Sequence, residues 1–276
     1  MANLSAKNTG KTMLDTVIYS LIVGASVGLA AGYLGSIMVL EKMALVGDAL
    51  SHVALPGLAI GVLYNFNPLI GGFLFLFVSA VLIWHLGRVT KLSFETLVGA
   101  AFTLALAIGI LLFGDNLDAL ETALFGDIAQ VGLLAAVAAV IVSIVVILLT
   151  RLIYQDIVLG LISEELAVSR GINVGRINLL YLLLVSLTVA IGIQITGTLL
   201  VGFLVVTPAA AARTISSNLT RYLSLSALFG AISAISGILM SSYFNILPGP
   251  LVVVSGVVIF AIVVVARGRN RRTTPA

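Results

Sequence analysis

The chain has 276 residues, of which 61% are hydrophobic and only 9% charged, with a net charge of +3. Soluble domains carry about 25% charged residues, so this composition cannot cover a water-facing surface, and lipid must solvate most of the chain. Cysteine is absent, which excludes disulfides and thiolate metal sites.

Residues 1–14 read as a polar leader. They contain Gly10-Lys11-Thr12, which resembles the end of a phosphate-binding loop, but Ser5 stands where that loop needs glycine and no strand precedes it. No other nucleotide-binding motif is found, so the chain has no ATP site of that kind. No small-residue cleavage site follows a short apolar region, so a cleavable signal peptide is not expected. The first apolar stretch, 15–40, carries Gly24, Gly28 and Gly32. Glycines four apart form a stripe on one helix face that admits a close neighbour. Packing within the subunit is the preferred reading of that stripe, ahead of a dimer seam.

The second stretch, 46–63, holds the segment Gly47-Asp48-Ala49-Leu50-Ser51-His52-Val53-Ala54-Leu55-Pro56-Gly57. An aspartate at the centre of a span costs about 2.5–3.5 kcal/mol on insertion scales, so it needs a functional or pairing reason. Asp48 and His52 are one helical turn apart on one face. A carboxylate with a neutral imidazole suits zinc and is acceptable to manganese or iron. Pro56 cannot bond the carbonyl of His52, so a helix continuing there kinks beside the pair. The competing reading is an Asp–His hydrogen bond between helices or a helix end near the interface; an ion-pathway site is preferred.

Stretches 68–87 and 95–113 follow, with His85 beside Trp84 and Arg88 at the end of the first, where an interfacial role is expected. The segment Asp115 to Asp127 has Asp115, Asp118, Glu121 and Asp127 and no basic residue. It reads as an outer loop that either gathers cations or is simply solvated. After stretch 131–150, Ser163-Glu164-Glu165-Leu166-Ala167-Val168-Ser169-Arg170-Gly171 reads as a short capped helix. Ser163 is the N-cap, the glutamates sit in the first turn, and Gly171 is the stop. Stretches 177–193 and 196–212 are short, and the second contains Pro208. They are either two spans or one span and a broken, partly re-entrant helix. Gln194, Thr196 and Thr198 lie there at membrane depth and either line a pathway or bond across helices, the second reading being preferred. Stretches 221–240 and 249–266 precede the basic tail 267–276.

Arg88 and Lys91, then Arg151, Arg170 and Arg176, then Arg213 and Arg221, and the tail all belong on the cytoplasmic side by loop charge. Lys42 joins them, which sends the N-terminus outside with Lys7 and Lys11. The basic tail beside a span is a cytoplasmic marker and not a nucleic-acid site. With no strand periodicity, the expectation is an all-α integral membrane protein, one domain over 1–276, with eight or nine transmembrane helices.

Taken in order and spacing, several motifs resemble the permease subunits of the zinc and manganese ABC transporter family, the ABC-3 family. They are Gly47-Asp-Ala-Leu-Ser-His52 with Leu55-Pro56-Gly57, Leu124-Phe-Gly-Asp127, the helix Glu164 to Gly171, Thr196-Gly-Thr-Leu-Leu200, Pro208-Ala-Ala-Ala-Ala-Arg213 and Pro248-Gly-Pro250. The resemblance runs from about Val17 to Val265. It implies a type II ABC importer permease in a prokaryotic cell membrane, paired with a second copy. Two cytoplasmic ATPase subunits would grip residues 163–171 as the coupling helix, and an extracytoplasmic binding protein would deliver the metal. It also implies that Asp48 and His52 contact the ion in passage, the divalent metal being substrate and no cofactor being permanently bound. The chain lacks the His-rich cytoplasmic loop of some zinc permeases. Two rival readings remain: an ion-coupled secondary transporter or channel needing no ATPase, and an importer of a metal chelate or cobalamin. The Asp48–His52 pair argues against the second.

Overall fold

Backbone amides in hydrocarbon have no water to bond, so an apolar chain must satisfy them within helices or a closed barrel. This chain takes the first course. The structure, a computed structural model, describes residues 2–90, 92–127 and 131–272, without the side chains of 2–14, Leu45 and 268–272. The side chains of the Gly10-Lys11-Thr12 segment, of Lys7 and of the arginines at 269–272, and Lys91 altogether, lie outside what is described.

The described residues form helices and no strand. They are α1 (Ala2–Leu40), α2 (Ala44–Val53), α3 (Leu55–Leu63), α4 (Pro68–Thr90), α5 (Phe94–Phe113), α6 (Leu117–Phe125), α7 (Leu133–Ile162), α8 (Glu164–Ser169), α9 (Val174–Ile215), α10 (Leu219–Phe244) and α11 (Pro248–Arg272). Eight segments are long and apolar enough to cross a membrane, α2 and α3 together making one of them.

The 42 residues of α9 would span about 63 Å if straight, twice a hydrocarbon core. They do not run straight. Gly197, at φ 69° and ψ 176°, breaks the helix. Tyr181 donates its hydroxyl proton to the Leu34 carbonyl at 3.2 Å, and Arg213 Nη1 donates to the Val39 carbonyl at 3.2 Å. Positions 32 residues apart in α9 therefore meet points five residues apart on α1. A side chain added at Gly192 would press into Val201, a contact that only a folded-back helix permits. The two short stretches read in the sequence are thus two legs of one hairpin, with Arg176 and Arg213 at the same end. Eight long helices and nine legs describe the same fold.

The apex at Gly197 is covered by the C-terminal end of α6. A Cβ at Gly197 would strike the Leu124 carbonyl, and the Asp127 amide donates to the Gln194 carbonyl at 3.2 Å. This is how a broken helix is tolerated in lipid: another element of the chain takes up the freed backbone groups.

Helix α1 packs on α10, α9 and α7. Its glycine stripe faces inward. A Cβ at Gly28 would meet the Gly230 carbonyl, and one at Gly32 would meet the Ser226 carbonyl. Ser226 in turn donates its hydroxyl proton to the Gly32 carbonyl. The stripe is packing within this subunit, of the small-residue kind that draws membrane helices together.

Charge separates the two ends. Lys42, Arg88, Arg170, Arg176, Arg213, Arg221 and Arg267 lie near helix ends or in the turns between helices at one end, with Arg151 about three turns before the end of α7. Asp118 and Glu121 on α6, with Asp115 and Asp127 on either side of it, lie at the other.

The Gly197 apex makes a direct prediction. Substituting Gly197→Ala adds a side chain at a positive φ and into a carbonyl, a change that costs about 2 kcal/mol or more. The detergent-solubilised variant is expected to unfold at a clearly lower temperature than the parent; an unchanged midpoint would contradict the hairpin.

Candidate ion pathway

At the acidic end a cavity of about 680 Å³ opens between α3, α5, α6 and α9. Its polar lining is Asn67, Asn116, Asp118, Thr122, Asp127 and Gln194. Asn116 also caps α6, its side-chain oxygen accepting the Ala119 amide at 3.2 Å. Of the four carboxylates in the acidic segment, Asp118 and Asp127 line the cavity, whereas Asp115 and Glu121 are exposed and do not. Two carboxylates in a concave mouth with apolar walls raise the local concentration of cations. Leu58 and Val62 of α3 form part of the floor.

Below that floor lie Asp48 and His52, four residues apart on α2 and so one turn apart on one face. The span continues past Pro56 with an irregular turn beside the pair. It is interrupted two residues earlier, at Ala54, and Pro56 then sits in the first turn of α3, where its missing amide costs nothing. Ala54 keeps helical angles, and its amide donates to Ser51 at 3.3 Å, so the interruption is small.

Two neighbours fix the pair. From α5, the Phe102 ring meets His52 edge-on, with centroids 5.2 Å apart. From the second leg of α9, Gly202 faces Asp48. An added Cβ there would come 2.7 Å from Asp48 Oδ1 and closer still to its backbone, so only glycine admits the carboxylate. Ser51, between the two ligand candidates, shares its hydroxyl proton between the carbonyls of Asp48 at 2.6 Å and Thr198 at 2.5 Å. His52 is 7% exposed, and its Nδ1 is buried without a hydrogen-bond partner. An Asp–His pair with a free ring nitrogen can lend an oxygen and a nitrogen to a divalent ion. Among the described residues no cluster of three His, Cys, Asp or Glu side chains surrounds it.

Sequence reasoning found Asp48 and His52 through the cost of a carboxylate in an apolar run. For Gln194, Thr196 and Thr198 it preferred cross-helix bonds to a pathway lining, and Gln194 lines the cavity. Thr196 instead bonds within its own helix, donating to the Gly192 carbonyl at 3.1 Å. The roles of Gly202 and Phe102 carried no signal in the sequence, because each depends on a partner more than forty positions away.

At the basic end the chain leaves α7, which is 30 residues or about 45 Å long and so projects beyond a hydrocarbon core. The short helix α8 follows. Ser163 accepts the Leu166 amide at 3.2 Å as its N-cap. Gly171, at φ 78°, ends it, with the Ile172 amide reaching Ala167 at 3.0 Å and the Gly171 amide reaching Val168 at 2.9 Å. That double closure is the Schellman stop. Glu164, Glu165, Ser169, Arg170 and Gly171 are exposed, and Ala167 is buried against the bundle. Leu166 and Val168 are 48% and 59% exposed beside Ile162 at 75%, an apolar knob at the end of the molecule where the basic residues lie. Trp84 anchors the adjoining start of α9 by donating Nε1–H to the Gly175 carbonyl at 2.6 Å, with the Arg88 guanidinium 5.0 Å above its ring. His85 next to it is exposed, as an interfacial residue should be.

Behind α8 a cavity of about 200 Å³ is lined by Glu41, Asp156, Glu164 and Asn178, among apolar residues. Glu41 closes the corner between α1 and α2, and burial pushes its carboxyl up to about 7.

The ABC 3 transport family matches residues 13–267 of the chain. A manganese transport system membrane protein, MntC of Listeria monocytogenes, is 32% identical over 245 residues, covering 88% of each chain. A high-affinity zinc uptake system membrane protein, ZnuB of Haemophilus influenzae, is 29% identical over 93% of this chain and 100% of its own length. Among solved structures, PsaBC from Streptococcus pneumoniae in complex with Fab superposes with a TM-score of 0.77 at 29% identity, covering 88% of this chain and 89% of that one.

The Glu41 carboxyl carries a pH dependence. Its protonated form is favoured in the folded state, so the folded chain holds more protons than the unfolded chain between the ordinary glutamate range and about pH 7. Stability is therefore full below that window, falls as pH rises through it, and levels above about 7. The loss amounts to about 3 kcal/mol at most. Glu41→Gln is expected to flatten this part of the unfolding-midpoint profile; a variant with the parent's slope would refute the assignment.

Proposed function

The chain belongs to the ABC 3 transport family, and from that premise we propose that it is the membrane-spanning subunit of an importer for divalent manganese or zinc. The observation that carries the metal reading is the pair of half-buried Asp48 and buried His52 below a carboxylate-lined mouth. The relatives named for manganese and for zinc support the same substrate class.

The ion leaves an extracytoplasmic binding protein at the acidic end and enters between Asp118 and Asp127. Its hydration shell is too large and too favourable to be discarded in an apolar bundle without replacement. Asp48 supplies one anionic oxygen and His52 one neutral nitrogen, which lower the cost of partial dehydration without forming a closed cage. An incomplete ligand set lets the ion leave again, which transport requires. Alternating access then exposes the pair first to the outside and afterwards to the cytoplasm.

The work is done by separate ATPase subunits docking at the basic, cytoplasmic end. Residues 163–171 act as the coupling helix. Support comes from its rigid caps and from the exposed apolar side chains of Ile162, Leu166 and Val168, which a soluble partner would cover. ATP hydrolysis belongs to the partner, and the permease acts as a homodimer.

Asp48→Asn keeps the shape and removes the charge. In cells carrying the whole transporter it is expected to lower manganese and zinc uptake about tenfold or more, with the variant still reaching the membrane at parental level. Uptake equal to the parent's would defeat the assignment. Leu166→Glu places a charge on the apolar knob of α8. It should leave the unfolding midpoint of the isolated chain unchanged while the ATPase subunit no longer co-purifies; full co-purification would remove α8 from the docking surface.

A further inference from the structure

Serine and threonine side chains inside membrane helices ordinarily donate to the carbonyl one turn back. Those ahead of the Gly197 break in α9 do so: Ser186 to Leu182 at 3.0 Å, Thr188 to Leu184 at 2.8 Å and Thr196 to Gly192 at 3.1 Å. Thr198 is the first residue after the break, and no helical carbonyl is presented to it. The carbonyl four residues back, that of Gln194, accepts the Asp127 amide instead. Thr198 is 0% exposed, and its Oγ1 is buried without a partner.

Its position is fixed by two contacts. Its own carbonyl accepts from Ser51, the residue beside His52. Gly202, one turn further along the same face, faces Asp48. The second leg runs antiparallel to α2, so stepping back one turn from Gly202 steps from Asp48 towards His52. Thr198 Oγ1 and His52 Nδ1 are thus two desolvated, unpartnered polar atoms brought to one level, on the face of α9 that meets α2. The other buried hydroxyls without partners, Ser143, Thr150, Tyr222 and Ser233, lie on α7 and α10, whereas α2 packs chiefly on α9 and α5.

We infer that the Thr198 hydroxyl is a third ligand to the ion in transit, completing the Asp48–His52 pair with a neutral oxygen and biasing the pathway towards manganese over zinc. The inference rests on the reading of that pair as the ion site. No third His, Cys, Asp or Glu joins the pair among the described residues, so within this chain a further donor comes from another residue type. A hydroxyl is a hard, uncharged oxygen. Manganese accepts oxygen ligands in higher coordination numbers, whereas zinc is content with fewer donors and gains more from imidazole. A neutral donor adds selectivity without adding the charge that would trap the ion.

The test uses the whole transporter in cells and compares Thr198→Val with Thr198→Ser, measuring initial uptake of manganese and of zinc separately. Valine has nearly the same shape and no hydroxyl. It is expected to lower the manganese-to-zinc uptake ratio about fivefold, the size of effect that loss of one polar contact produces, while serine keeps the parental ratio. The unfolding midpoint of the purified Thr198→Val chain should be equal to or above the parent's, since an unpartnered buried hydroxyl is being replaced by a methyl group. An unchanged uptake ratio, or a lowered midpoint revealing an ordinary structural hydrogen bond, would overturn the inference. Asp48→Asn run alongside separates the two claims. If it abolishes uptake of both metals while Thr198→Val leaves the ratio alone, the ion site stands and the third ligand falls. If Asp48→Asn transports normally, the site itself falls.

Discussion

Polar groups in hydrocarbon must find their partners inside the chain, and this constraint explains both where the helices break and what lies beside the breaks. Unpaired backbone at membrane depth is tolerated only when buried or lining a cavity. Each of the two interruptions in this bundle meets that condition. The break at Gly197 is covered by the end of α6, with the Asp127 amide taking the Gln194 carbonyl. The interruption at Ala54 is closed by a tighter turn to Ser51, whose side chain reaches across to Thr198. Ser51 and Thr198 therefore join the two irregular places to one another, and Asp48 and His52 flank that junction.

The same junction orders the molecule from end to end. The acidic mouth, the Asp48–His52 level and the cavity behind α8 follow one another along α2, α3 and α9. The second leg of α9 touches the Asp48–His52 level at Gly202 and Thr198 and ends where Arg213 holds the Val39 carbonyl. The first leg starts directly after α8, with Asn173 capping it by accepting the Arg176 amide at 3.1 Å. In the proposed mechanism a push on α8 reaches the ion level through this one hairpin, because both of its legs are anchored at the end the ATPases would occupy. Glu41, in the corner where α1 turns into α2, lines the cavity together with Asp156 and Glu164, the first residue of α8.

Much of this was legible in the sequence, for identifiable reasons. Apolar runs of span length fixed the helices, and loop charge assigned Arg176 and Arg213 to one side, which the hairpin satisfies. The caps of α8 were readable because Ser163 and Gly171 act within one helical turn of themselves. Asp48 and His52 were readable because a carboxylate four residues from an imidazole is conspicuous among leucines and valines. What escaped notice depended on long-range contacts. The sequence offered two spans or one span and a broken helix for 177–193 and 196–212, and only the contacts made across the positive φ at Gly197 show them to be two legs of one hairpin. Nothing local tells Thr198 from Thr196, yet one has a carbonyl to bond and the other has none. Likewise the acidic segment gives no hint that Asp118 and Asp127 face the cavity while Asp115 and Glu121 face away.

The central claim is that this chain conducts a metal ion only when a partner supplies the energy. It is tested most directly by uptake of radiolabelled manganese and zinc into proteoliposomes containing the chain, with and without its ATPase subunit, binding protein and ATP. The account predicts uptake with the complete set and none when ATP or the ATPase is withheld. Uptake by the chain alone, driven by an ion gradient, would contradict it and make the Asp48–His52 pair the site of a self-sufficient secondary transporter.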